Sequence, residues 1–485
     1  MTLLATSIWH GKIHTDSWTS GSAGLLDITE PATGHVLGSV GAADRADALA
    51  AASRAADAQR TWAQTKPEER AAVLRRAGML FEDHAKEIQG WIVRETGAIE
   101  AKAGLETHIA ANECYEAAAL PAHPAGDVLT SNEDRWSFAR RRPAGVVSVI
   151  SPFNFPLILS IRSVAPALAL GNAVLLKPDP RTTVSGGVAI MRVFEEAGLP
   201  AGLLQLLPGG ADVGQALVEA PEVRVISFTG STAAGRKVGE TAGRLLKRAH
   251  LELGGNNALI VLPGADLDLA ASAGAFGSFM HQGQICMTTG RHLVHESLLE
   301  DYVARLSDKA RSLPVGDPCT GQVALGPIID ERQRDNIDRL VREAKDAGAQ
   351  IAAGGTYEGL FYSPTVLTGL TPDNPAWTQE IFGPVAPVLP FSSVEEAIAL
   401  TNASEYALSV GILGDVGLAM EVADRVVSGK VHINEQTVSD EANSPFGGMG
   451  ASGTGSRFGG SAANIDAFTE TQWLTMRPQI APYPF

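Results

Sequence analysis

The chain changes its hydrophobic rhythm along its length. From Ala43 to Gln59, and again from Pro67 to Gly97, apolar positions recur among Ala, Glu and Arg at helical spacing, which predicts helices, the first starting near Asp44 or Arg45. Past Gly145 short β-branched runs take over: Val146 to Ile150, Ala173 to Leu176, Leu203 to Leu207 and Val223 to Phe228. Helical stretches fill the gaps, Ser160 to Leu170 and Ser185 to Ala197, the second stopped by Gly198-Leu199-Pro200. Such alternation predicts a parallel sheet with helices on both faces. A second alternation follows Glu252, through Ala258 to Leu262, Leu267 to Phe276, Ser297 to Leu313 and Glu331 to Gly348, and predicts a second α/β unit. Two polar runs, Leu129 to Arg142 and Phe468 to Met476, read as strands with open edges. They would pair either with a neighbouring subunit or within the chain as a hairpin.

Composition narrows the picture. With 485 residues, 45% of them hydrophobic, the chain can build two or three domains. A formal net charge of −16 argues against nucleic acid or an anionic membrane as partner, since both require a basic surface. The three cysteines, Cys114, Cys286 and Cys319, form no Cys-x-x-Cys pair, so neither a disulfide framework nor a metal site is expected, and a reducing compartment is. No stretch reaches the ~18 uninterrupted apolar residues of a membrane span. The nearest, Val164 to Leu176, is broken by Pro166, Gly171 and Asn172, and the start carries no basic head before an apolar run, so the expected location is the cytoplasm.

The chemistry centres on Cys286, in Gly283-Gln284-Ile285-Cys286-Met287-Thr288-Thr289, 34 positions after Glu252 in Leu251-Glu252-Leu253-Gly254-Gly255-Asn256-Asn257. A thiolate attacks carbonyl carbon, and a carboxylate then activates the water that releases the thioester. Cys286 alone reads equally as a buried, inert thiol. The strand from Val223 runs into Thr229-Gly230-Ser231 and a helix, a place where free N–H groups meet a phosphate, or simply a strand-to-helix turn. Its Gly-x-x-x-x-Gly spacing departs from the usual dinucleotide fingerprint. Lys177 closes another parallel strand, where a ribose hydroxyl or only solvent would meet it. Asn154, between Phe153 and Phe155, is either an oxyanion donor or a turn former. The glycine-rich Phe446 to Gly453 has no lysine and is not a phosphate loop; its backbone must pass close to something.

Taken in order along nearly the whole chain, these segments with Glu380-Ile381-Phe382-Gly383-Pro384 and His432-Ile433-Asn434 resemble the aldehyde dehydrogenase superfamily, most of all its bacterial benzaldehyde and vanillin dehydrogenases. The resemblance implies a Rossmann-like cofactor domain (1–121 and 144–251), an α/β catalytic domain (252–462) and a small β oligomerisation element (122–143 and 463–485). It implies Cys286 as nucleophile, Glu252 as general base, and Asn154 with the Cys286 N–H as oxyanion hole. Lys177 and Glu380 would hold the two cofactor riboses, Phe382 would lie beside the nicotinamide, and Gly230 and Ser231 would meet the pyrophosphate. Ser151, Phe153, Asp179, Gly210, Phe228 and Leu253 complete the implied cofactor set. Phe155, Leu159, Arg162, Ile285 and Met287 would line the aldehyde tunnel, apolar enough for a flat ring, with Arg162 a cation that would favour an anionic or hydroxylated substrate.

The implied activity is NAD(P)-dependent, hydrolytic oxidation of aromatic aldehydes to acids by a homodimer or homotetramer, with no metal; an aliphatic or semialdehyde substrate is the alternative. Two departures stand out. Pro180 occupies the position where many NAD-dependent members carry a glutamate, and Arg181 beside it would attract a 2′-phosphate, which predicts that NADP is used besides NAD. His281 stands where much of the superfamily has asparagine, as a packed histidine or a pocket-shaping one.

Overall fold

The computed structural model describes residues 2–485. Five parallel strands, Arg248–Glu252, Val223–Thr229, Val146–Ile150, Ala173–Lys177 and Leu204–Leu206, lie side by side in that order, and Lys12–His14 and Trp18–Ser20 extend the sheet antiparallel to seven strands. Val146–Ile150 and Ala173–Lys177 are buried at every position, which is why their sequences are continuous apolar runs rather than alternating ones. Helices cover both faces. Arg45–Trp62 starts in a capping box in which Asp44 and Asp47 accept each other's backbone N–H groups.

The second seven-stranded sheet runs Gln350–Ala353, Thr365–Thr368, Val385–Phe391, Thr289–His295, Asn257–Val261, Ser409–Leu413 and Lys430–Ile433, parallel except at its first pair. Successive residues of Asn257–Val261 serve opposite faces: Ala258 and Ile260 enter one hydrophobic cluster, Leu259 and Val261 another. The first unit has its own core, to which Phe458, Ala467 and Phe468 return from the far end of the chain.

Three expected elements differ in detail, and one element was not expected. The run from Pro67 to Gly97 is two helices, Pro67–Asp83 and Ala85–Thr96, because His84 leaves helical geometry (φ −105°, ψ 15°). The helix expected from Ser185 opens with a π-helical turn, Val184–Val188, whose first N–H groups bond to the buried Glu95 carboxylate. Glu100–Ala119 is a further helix that the pattern does not announce, since it is buried on several faces and carries no clean apolar stripe. The polar run from Leu129 to Arg142 is strand only from Trp136 onward, and a short strand precedes it. Gly126–Val128 and Trp136–Pro143 flank a turn, and Trp136–Pro143 pairs antiparallel with Thr469–Met476 of the same chain over eight residue pairs. No helix among the described residues is long and apolar enough to cross a membrane.

The carboxyl ends of the first sheet's strands bring Ile150, Lys177 and Thr229 to one crevice, facing the loops of the second sheet. Open parallel sheets bind ligands at this end.

Candidate active site

Two cavities meet at Cys286. One, of about 450 Å³, lies along the strand ends of the first sheet; the other is narrower, apolar and lined from the helix Pro156–Ala169 and the cysteine loop. Only Asn154, Leu159 and Cys286 belong to the walls of both.

The cysteine loop is held from behind. Asn257 donates its Nδ2 hydrogens to the carbonyls of Cys286 and Thr288, both at 2.8 Å, while its Oδ1 accepts the Ser409 N–H at 3.0 Å. Thr437 Oγ1 donates to the Met287 carbonyl at 2.7 Å, and Thr288 Oγ1 to the Gly283 carbonyl at 3.0 Å. Sequence reasoning gave these residues no role; the signal available was an asparagine pair directly after Gly254-Gly255.

Asn154 is buried and aimed. One hydrogen of its Nδ2 meets the Gln284 carbonyl at 2.9 Å, which leaves the second for the cavity. Its backbone carbonyl accepts from Lys102 Nζ at 2.8 Å, and Lys102 is itself paired with Glu106, whose other oxygen caps the N–H groups of Leu157 and Ile158. Lys102 and Glu106 come from the unannounced helix Glu100–Ala119, so their spacing of four was not read as a site.

Burial pushes the Cys286 thiol up to about 12, with the Glu252 and Glu380 charges adding to it and Lys430 opposing. Without a ligand beside it the sulfur is therefore a thiol rather than the activated thiolate the chemistry requires. Glu252 is also raised well above the ordinary carboxylate range by burial, against the pull of Arg457 and Arg162. It is 3% exposed, lies on neither cavity wall, and neither carboxyl oxygen finds a well-formed hydrogen bond among the described residues. The glycine-rich segment packs on it: a Cβ at Gly447 would stand 2.9 Å from Glu252 Oε1, and Leu253 N–H bonds to the Ser452 carbonyl. That is what the backbone from Phe446 to Gly453 passes close to.

Along the larger cavity stand Ser151, Phe153, Lys177 and Asp179 on one side. Phe228, Gly230, Ser231 and Leu253 form the floor, and Glu380 and Phe382 the opposite wall. Lys177 is 7% exposed and makes only a 3.3 Å bond to the Pro178 carbonyl, so its charge is almost unanswered; burial pulls its pKa down. Ser231 caps the helix Thr232–Arg244. Gly230 has no room for a side chain, since a Cβ would lie 2.7 Å from the Phe228 ring. Glu380 accepts the Gly255 N–H at 2.9 Å and is pushed up to about 7 by burial. Phe382 takes a left-handed backbone (φ 54°) and meets the Phe153 ring edge-on at 5.9 Å. A buried cation, a capped helix start and a carboxylate across from them suit a cofactor with phosphates and ribose hydroxyls.

Gly210 is a correction: it is the N-cap of Ala211–Glu219 and is not on the cavity wall. Its neighbour Gly209 shows the reason for glycine there, close helix entry, since a Cβ would meet Val213 at 2.5 Å. Arg332, Gln333 and Asn336 reach the rim unforeseen, from the helix Glu331–Asp346.

The expected free cation at Arg181 is also corrected. Its guanidinium is bidentate on Asp179 (2.9 and 2.8 Å), meets Asp330 at 2.5 Å, and lies 4.3 Å over the Phe153 ring.

Phe155, Leu159, Arg162, Ile285 and Met287 all line the narrower cavity, joined by Met280, Val438 and Phe446. Arg162 is no open cation. It is 3% exposed and paired with Glu113 at 3.0 Å and Asp440 at 2.5 Å, with Nη1 left unpartnered. His281 lies on neither cavity wall; it packs edge-on against Phe155 at 5.5 Å with both ring nitrogens unpartnered, and burial holds it neutral.

A polar cavity and an apolar one sharing a half-buried cysteine and an amide donor define a cysteine enzyme that brings a cofactor to an apolar substrate. Residues 18–474 match the model of the aldehyde dehydrogenase family, and the chain belongs to that family. It is 65% identical to a vanillin dehydrogenase of an Amycolatopsis species over all of both chains, and 48% identical to an NAD(+) benzaldehyde dehydrogenase of Pseudomonas putida over 99% of this chain and 98% of that one. Among solved structures, a salicylaldehyde dehydrogenase of Pseudomonas putida complexed with salicylaldehyde superposes with a TM-score of 0.94 at 36% identity, covering 98% of this chain and 99% of that one.

Proposed function

We propose that the protein oxidises aromatic aldehydes of the benzaldehyde and vanillin type to carboxylic acids, with NAD as cofactor, through a thioester on Cys286. The observation that carries this reading is that Cys286 and Asn154 stand where the polar and the apolar cavities join. The relatives named for vanillin, benzaldehyde and salicylaldehyde share a ring substrate, and the apolar lining here suits one.

Lys177 and Glu380 would hold the cofactor's riboses and the start of Thr232–Arg244 its pyrophosphate. When bound, the nicotinamide supplies the acceptor for a hydride. The chain's own work begins with the Cys286 thiol, which would ionise beside the positive ring of the bound cofactor. The sulfur then adds to the carbonyl carbon, and the oxyanion is held by the free Asn154 Nδ2 hydrogen and the Cys286 N–H, a type of contact worth ~3 to 4 kcal/mol. Loss of hydride leaves a thioester on Cys286. Glu252 deprotonates the water that cleaves it, and the acid departs.

The three-stranded sheet presents Trp136, Trp473 and Met476 to solvent, each more than half exposed, beside the outer edge of Thr469–Met476. That surface supports a homo-oligomer, dimer or tetramer, built on residues 122–143 and 463–485, with 1–121 and 144–251 as cofactor domain and 252–462 as catalytic domain. The acidic charge and the absence of a membrane-spanning helix among the described residues agree with a cytoplasmic location.

The test is the rate of nicotinamide reduction on benzaldehyde, vanillin, hexanal and succinate semialdehyde, each with NAD and with NADP. Fast turnover confined to the aromatic pair is expected; preference for the aliphatic pair would overturn the substrate class. Glu252→Gln should keep a burst of about one reduced cofactor per site and lose steady turnover by about 10²- to 10⁴-fold.

A further inference from the structure

Arg181 and Asp330 belong to different α/β units: Arg181 follows the strand Ala173–Lys177 of the first sheet, and Asp330 caps the helix Glu331–Asp346 that packs on the second. Arg181 lines the larger cavity, two positions from Asp179 and four from Lys177, and Asp330 meets it at 2.5 Å from the wall of a neighbouring cavity. Pro180 lies between Asp179 and Arg181 in sequence, at a position where a carboxylate would repel a 2′-phosphate. Its loss ought to open the site to NADP, with Arg181 as the receiving cation. The structure shows that cation already claimed by two carboxylates, so the group carries a net charge of about −1.

Beyond the pair the surroundings stay acidic. A neighbouring cavity of about 340 Å³ shares Arg181 as a wall residue and is also lined by Asp27, Glu30 and Glu331. Of these, Glu30 is answered by Arg94 at 2.7 Å, while Asp27 accepts only a Ser39 hydroxyl.

We propose that Asp330, reaching across from the second unit, takes the place of the missing carboxylate at position 180 and sets the preference for NAD by withholding Arg181 from a 2′-phosphate. This rests on the reading of Lys177 as the adenosine-ribose residue. Asp330 acts here as a specificity residue rather than a catalytic one.

Asp330→Asn isolates the charge, because asparagine caps a helix as well as aspartate does, and the Gln333 N–H it holds at 2.8 Å keeps a partner. The readout is the dissociation constant of NADP divided by that of NAD, each titrated by quenching of tryptophan fluorescence. In Asp330→Asn this ratio should fall about three- to tenfold, the scale of one partly exposed charge pair, and less at high salt. In Arg181→Ala with Asp330→Asn the fall should vanish. Asp330→Ser, which also caps, repeats the test should the asparagine variant fold poorly. An unchanged ratio overturns the proposal, and so does a fall that persists without Arg181, which would make Asp330 a mere repelling charge. Failure of the underlying cofactor reading would show separately, as NAD binding indifferent to Lys177→Met.

Discussion

Asn257 holds the carbonyl of Cys286, not its sulfur: the Nδ2 hydrogens bond the carbonyls of Cys286 and Thr288 at 2.8 Å each, so the backbone carrying the nucleophile is pinned to the first residue of a sheet strand. The thiol is left free to react while its main chain is fixed, and the Cys286 N–H keeps the direction needed to meet an oxyanion. Asn257→Ala should therefore lower kcat by about 10- to 100-fold with little change in KM, and destabilise the fold by about 2 kcal/mol through two unpaired buried carbonyls. Single-turnover kinetics and urea unfolding measure the two effects. An unaltered single-turnover rate would show that the loop needs no such clamp.

The Cys286 thiol, pushed up to about 12 by burial, predicts a steep pH dependence in the absence of cofactor. The thiolate is the reactive form, and its fraction rises tenfold per pH unit below the pKa. Alkylation of Cys286 by iodoacetamide should climb by about that factor for each pH unit from 7 to 10 without levelling off. Saturating NAD should accelerate it at neutral pH by bringing a positive ring to the sulfur. A plateau near pH 7 in the free enzyme would contradict the assignment of burial as the controlling cause.

Glu380 makes a different pH prediction. Its carboxyl, raised to about 7 by burial, is neutral in much of the free enzyme below neutrality, whereas a ribose hydroxyl donates best to the ionised form. The sign follows: NAD affinity should strengthen as pH rises through about 7, once the carboxylate forms, and weaken below it. In Glu380→Gln the dependence should flatten while the high-pH affinity is lost. Fluorescence titration of NAD from pH 5.5 to 8.5 on both proteins decides this.

Much of the candidate site could be read from the residues because its groups sit in distinctive local strings. Lys177, Gly230, Ser231, Glu380 and Cys286 each end a strand or open a loop, and each lies on the larger cavity. What escaped reading is what acts from a distance in sequence. Lys102 reaches the Asn154 carbonyl across 52 positions, and Asp330 reaches Arg181 across 149. Neither pairing leaves a periodic trace. Arg162 and Arg181 each line a cavity, but the charge expected of them is cancelled by Glu113, Asp440, Asp179 and Asp330, since a partner's carboxylate cannot be seen from the arginine's own neighbours in the chain. The late start of the strand within Leu129 to Arg142 matches likewise Thr469–Met476, more than 300 residues away, which pairs with Trp136–Pro143 alone.

Arg162 gives the last prediction. Its guanidinium is enclosed by Glu113 and Asp440 and stacks 4.8 Å from the centre of the Phe446 ring, on the wall of the aldehyde cavity. Enclosed by two acids it offers no net attraction to an anion, so 4-carboxybenzaldehyde should be a poorer substrate than benzaldehyde, by KM. Removing the cation strands the buried Glu113 carboxylate and leaves Asp440 with Lys430 alone, at 3.4 Å; stranding a buried carboxylate typically costs 3–5 kcal/mol, about ten times the value of an exposed pair. Arg162→Met should thus lose roughly that much stability in urea unfolding, while the double variant Arg162→Met with Asp440→Asn recovers part of it. A single variant as stable as the parent would mean that Glu113 and Asp440 do not depend on Arg162, and that the arginine is there for the substrate after all.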